Sequence, residues 1–137
     1  TEELNKYIYA LKKDLQVASS IQFNILPKRT LEYEKFRIMS QYIPLDKVGG
    51  DFYDIHEFSP DKLRIFIADA TGHGVQAALV TMSIKSEYDS LKSIIQDPSE
   101  LLEELHNRFK DIYKNMRIYF TAMVLDIDLN EKKALYS

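Results

Sequence analysis

Between residues 2 and 26 the apolar positions recur at alternating spacings of four and three. Leu4, Ile8, Leu11, Leu15 and Ala18 therefore share one narrow stripe of a helix, and Pro27 stops it. This 3.5-residue repeat is the seam of a coiled coil, so residues 1–26 read as a linker or dimerisation helix. The same stripe also suits a helix packed on its own domain. From Phe36 the period drops to two. Residues 36–43 and 52–58 alternate like half-buried strands, and the Ser59-Pro60-Asp61-Lys62 turn joins the second of these to residues 63–68, predicting a hairpin. Residues 65–68 are uniformly apolar, as expected of a strand covered on both faces.

A helix is expected over residues 75–93, opening with the small-residue face of Ala77 and Ala78 beside Leu79 and Met82. A second begins at Asp97-Pro98-Ser99-Glu100, with Asp as N-cap and Pro at the first position, and presents Leu102, Leu105, Phe109, Ile112 and Met116 as its apolar face. Residues 119–127 read as a strand, Asn130-Glu131 as its turn and residues 133–136 as the start of a return strand. The order predicts an α+β domain, with antiparallel sheet and helices as outer layers, over residues 27–137.

With 137 residues, 45% of them hydrophobic, the chain can bury one core. A net charge of −3 lacks the basic excess of a nucleic-acid binder. The absence of cysteine excludes disulfides, thiolate zinc sites, iron–sulfur clusters and a Cys nucleophile. No apolar run approaches the roughly 18 residues of a membrane span, and the Thr-Glu-Glu-Leu start carries no signal-peptide pattern. A piece of a larger cytoplasmic protein is the expectation.

Two acidic residues stand apart. Asp51 follows Gly49-Gly50 at the start of a strand, and Asp69 ends the next strand before a loop with two glycines. Each lies nine residues from Pro60, so a hairpin centred there sets them side by side. Adjacent carboxylates repel, a cation removes that cost, and an all-oxygen donor set selects hard ions such as Mg²⁺ or Mn²⁺. Spacing alone equally allows two ordinary turn aspartates, one of them a helix cap.

Val48-Gly49-Gly50-Asp51-Phe52-Tyr53-Asp54 and Ile67-Ala68-Asp69-Ala70-Thr71-Gly72-His73-Gly74, followed by Ala77-Ala78-Leu79, resemble the metal-dependent protein phosphatases of the SpoIIE type, the bacterial branch of the phosphatase 2C-like (PPM) fold. Upstream, Ala18-Ser19-Ser20-Ile21-Gln22-Phe23-Asn24-Ile25-Leu26-Pro27 resembles the helix that leads into that domain, and Phe120-Thr121-Ala122-Met123 resembles a later core strand. The resemblance spans roughly residues 15–137, with its motifs in the family's order.

It implies a phosphatase 2C-like αββα sandwich, partial at its C-terminal side and preceded by a linker helix. Asp69 would bridge two divalent cations (Mn²⁺ or Mg²⁺), Asp51 would ligate one, and Ala70 would offer its backbone carbonyl. A water acidified by the cations would attack phosphoserine or phosphothreonine on a protein substrate, so no protein nucleophile is needed. Gly49 and Gly50 would let the backbone turn beside a ligand, and Gly72 and Gly74 would permit a tight loop before the helix. Lys47, four residues before Asp51, is a candidate for holding the phosphate, against the alternative of a solvated turn lysine. His73 reads as a loop residue, because the family's general-acid histidine falls at Thr71 here. The family's further metal-binding aspartates lie beyond residue 133, and Asp126 and Asp128 do not match them; they suit a strand-end turn. The implied partners are a phosphorylated protein, a second copy through residues 1–26 and an upstream sensor domain, as in a bacterial signalling regulator.

Two rivals remain at this level. Gly49-Gly50-Asp51-Phe52 also resembles the diguanylate cyclase signature, but the acidic residue before Phe is missing and the Asp69–Gly74 loop has no place there. The other is a phosphatase-derived dimerisation and protein-interaction module without catalysis.

Overall fold

The computed structural model describes residues 1–137. Helix α1 (Glu2–Ile25) is followed by two short strands, β1 (Thr30–Glu32) and β2 (Arg37–Met39), which pair antiparallel as a small sheet of their own. A four-stranded antiparallel sheet, in the order β3-β4-β5-β6, is built from β3 (Asp51–Ser59), β4 (Lys62–Ala70), β5 (Phe120–Asp128) and β6 (Lys133–Tyr136). Between β4 and β5 the chain forms α2 (Gly74–Leu91) and α3 (Pro98–Ile112), which cover one face of that sheet.

Alternation decides what the helices cover. Phe52, Phe66, Ala68, Ala70 and Val124 point into the core, where they meet Val80, Ile84 and Tyr88 of α2 and Leu101, Leu105 and Phe109 of α3. The Phe66 and Tyr88 rings stack at 4.0 Å and 13°, and Phe109 meets Phe120 edge-on at 4.6 Å. Such pairs add about 0.5–1.5 kcal/mol to their area burial. The Asp97 carboxylate accepts the backbone N–H of Ser99 (2.9 Å) and of Glu100 (3.0 Å), as its predicted N-cap role requires.

Several expectations change. Residues 65–68 are covered on one face only: Phe66 and Ala68 are buried, whereas Ile67 is 52% exposed, because the helices pack on one side of the sheet. The opposite side, with Tyr53, Ile55, Ile65 and Ile67, opens into a groove of about 750 Å³ beneath Ile38 and Met39 of the small sheet. The strand expected over residues 36–43 is only β2, because its partner β1, absent from the periodicity reading, is three residues long. On α3 the buried stripe is Pro98, Leu101, Leu105 and Phe109; Ile112 faces solvent and Met116 lies beyond the helix. Asp126 is no turn residue. It sits within β5, 3% exposed, paired with the fully buried Arg64 of β4. Asp128 does serve the turn, accepting the Glu131 N–H at 3.0 Å.

Candidate metal centre

The β3–β4 hairpin has the register expected from its turn. Asp51 pairs with Asp69, and the match continues step by step to Glu57 opposite Leu63, after which a bulge absorbs the odd residue before Ser59. A two-residue side-chain period puts both aspartates on the face away from the helices, at the end of the sheet where β4 runs into the α2 loop. On its other side Asp69 neighbours Thr121 of β5. The Asp51 carboxyl is held above its ordinary range, first by partial burial and then by the charge of Asp69 and a hydrogen bond between the two side chains.

Ala70, the next residue, faces the glycine pair. Its N–H donates to the Gly50 carbonyl at 2.9 Å, and a Cβ on Gly50 would lie 2.7 Å from the Ala70 carbonyl oxygen. Any side chain at position 50 would thus displace the carbonyl that the resemblance implies as a ligand. Beyond it, Gly72 (φ 91°) and Gly74 (φ 68°) occupy left-handed backbone, which is where an L side chain is strained. Thr71 is tied to Tyr119 by two bonds, donating its N–H to the Tyr119 carbonyl (2.9 Å) and accepting the Tyr119 N–H on its hydroxyl (3.2 Å). His73 caps α2 in extended conformation without a side-chain capping bond and is exposed, a loop residue.

The Gly49-Gly50 segment is clamped from two helices. Gln22, the one buried residue of α1, donates from its amide to the Gly49 carbonyl (2.6 Å) and accepts the Gly49 N–H (2.8 Å). From α2, the Thr81 hydroxyl lies 3.0 Å from the Gly50 carbonyl oxygen and 2.8 Å from that of Ala77. The sequence gives Gln22 no role of its own; its signal is its place in the Ile21-Gln22…Leu26-Pro27 motif that resembles the family's entry helix. Lys47 is exposed, and its backbone N–H donates to the Asp46 carboxylate. Asp54 points the other way from Asp51 and pairs with Lys92 at 3.0 Å.

Asp51, Asp69 and the Ala70 carbonyl form a donor set of oxygens alone, which fits a hard divalent cation. No group of three or more His, Asp or Glu side chains converges anywhere in the structure, so the candidate centre would have only these two carboxylates as side-chain donors.

A model of the family described as Stage II sporulation protein E (SpoIIE) matches residues 59–137, more than half of the chain. The chain belongs to the SpoIIE family. Among its relatives, phosphoserine phosphatase RsbP of Bacillus subtilis is 28% identical over 91% of this chain and 32% of its own length. Phosphoserine phosphatase RsbU of the same organism is 27% identical over 93% of the chain and 37% of its own length. The chain therefore spans about a third of these curated relatives. The SiaA-PP2C domain of Pseudomonas aeruginosa superposes with a TM-score of 0.79 at 29% identity, covering 95% of this chain and 54% of that one. The phosphatase 2C-like fold of this SpoIIE-family chain follows from that match.

Proposed function

We propose that the protein of which this chain is part hydrolyses phosphoserine or phosphothreonine on a protein, using Mn²⁺ or Mg²⁺ held by Asp51, Asp69 and the Ala70 carbonyl. The observation that carries this reading is the cross-strand pairing of Asp51 with Asp69 beside an Ala70 carbonyl that only a glycine at position 50 leaves open. When bound, the cations supply an acidified water and charge compensation for the phosphate. The chain's own part is positional. Asp51 and Asp69 hold the cations on rigid strand ends, Gln22 and Thr81 fix the glycine segment that orients Asp51, and Gly72 and Gly74 turn the chain away from the site. Lys47, on the exposed loop before Asp51, is assigned to the substrate's phosphate. The relatives RsbP and RsbU are phosphoserine phosphatases, which supports the substrate class.

Residues 1–26 are assigned as a linker helix that pairs two copies and connects them to an upstream sensor in a signalling protein. Leu4, Ile8 and Leu11 are exposed, and α1 touches the domain only towards its C-terminal end. No helix is long and apolar enough to cross a membrane, and a cytoplasmic location goes with this reading. A non-catalytic interaction module is the second reading, favoured by the limit of two converging carboxylates. The deciding experiment is phosphate release from a phosphoserine peptide by the whole protein with Mn²⁺, with chelator and as the Asp69→Asn variant. Turnover that survives chelation rules out the metal mechanism. No turnover together with no Mn²⁺ binding favours the module.

A further inference from the structure

A polar group at the same corner of the sheet belongs to neither the carboxylate pair nor the helix clamps. Tyr42 lies on the loop before Gly49, and its ring meets Phe23 of α1 edge-on, with centroids 5.4 Å apart at 86°. Its hydroxyl points inward: Oη is shielded from solvent and has no hydrogen-bond partner. A Cβ on Gly49 would lie 2.5 Å from that oxygen, so glycine there admits the phenol against the backbone two residues before Asp51. Tyr42 and Asp51 line the same groove.

Buried hydroxyls are normally hydrogen-bonded, so an orphan one beside a functional group calls for a specific explanation. The neighbouring anion is Asp51, whose charge acts on the phenol after burial itself. A carboxylate has lone pairs beyond those that one cation takes, and a hydroxyl donates most strongly to an ionised oxygen. Carboxylates that bind metals are commonly oriented in this way by a hydrogen-bond donor behind them.

We propose that Tyr42 is a positioning residue of the metal centre, its hydroxyl donating to the Asp51 carboxylate when that carboxylate holds a cation. The inference rests on the metal-binding reading of Asp51 and Asp69 and adds to it a donor that the motifs do not contain. Phenylalanine at this position keeps the ring and its contact with Phe23 and removes only the donor.

The test is calorimetric titration of Mn²⁺ into wild type, Tyr42→Phe and Asp69→Asn, with metal-free thermal unfolding of each and the tyrosine absorbance difference on adding Mn²⁺. Tyr42→Phe is expected to bind Mn²⁺ about 10–100-fold more weakly. Its metal-free transition should not fall, because the hydroxyl has no partner to lose, and the tyrosine difference signal should be diminished. Affinity equal to wild type, with binding lost in Asp69→Asn, overturns the role of Tyr42 and leaves the metal centre standing. A lowered metal-free transition with unchanged affinity assigns the hydroxyl to stability and also overturns it. Unaltered binding by Asp69→Asn removes the metal centre itself, and the role of Tyr42 with it.

Discussion

Arg64 and Asp126 face each other across β4 and β5 as direct strand partners and join through two parallel bonds, Nε to Oδ1 at 2.6 Å and Nη2 to Oδ2 at 2.7 Å. The guanidinium is fully buried. Its remaining hydrogens reach the carbonyls of Lys92 (3.3 Å), Ile95 (2.8 Å) and Gln96 (2.6 Å), so one side chain ties the sheet to the connection between α2 and α3. Asp126→Ala leaves a buried cation without its counter-charge. The expected cost is about 3–5 kcal/mol, read from the midpoint of urea denaturation. A midpoint close to wild type would mean that the carbonyls alone satisfy the arginine.

Gln22→Ala removes both bonds to Gly49, leaving the part-buried Gly49 N–H unpaired and the Gly49 carbonyl with only the long contact to the Thr81 hydroxyl at 3.5 Å. A loss on the order of 1–3 kcal/mol is expected. Local release should appear sooner, as faster hydrogen exchange at the Gly49 amide than in β4 or β5. Uniform acceleration across the sheet would instead show that α1 is part of the global folding unit.

Asp51→Asn should stabilise the metal-free protein while abolishing Mn²⁺ binding. Like charges on directly opposed strand residues are unfavourable by about 0.2–1 kcal/mol, and the amide removes one of them. The pH dependence has a definite sign. The folded Asp51 carboxyl is held above the ordinary carboxylate range, so through that window the native state binds the proton more tightly than the unfolded chain does. The penalty is therefore present at neutral pH and fades as the pH falls towards the unfolded value. The thermal advantage of Asp51→Asn should shrink in the same way, and an advantage constant from neutral to acid pH would exclude this cause.

Leu11→Glu addresses the exposed stripe of α1, where Leu4 is 55%, Ile8 42% and Leu11 61% accessible. Burying a leucine is worth roughly 1.5–3 kcal/mol, so several of them favour pairing of two copies. The substitution is expected to move the mass measured by light scattering towards monomer with little change in the thermal transition. Unfolding without dissociation would place the helix in the core.

Local order was readable along the chain. The heptad stripe and Pro27 delimit α1, the Asp97-Pro98 cap starts α3, and the turn at Pro60-Asp61 sets the hairpin register that puts Asp51 opposite Asp69. Each depends on residues close in sequence, whose spacing alone fixes which side chains share a face or a turn. Other features required the assembled molecule. Ile65 and Ile67 are as apolar as Phe66 and Ala68, so periodicity could not say which face the helices would cover. Arg64 finds Asp126 62 residues away, and Gln22 finds Gly49 27 residues away. Polar side chains such as these are stable in the interior only once a distant partner satisfies them, and that partner is chosen by how the layers pack, which no local pattern encodes.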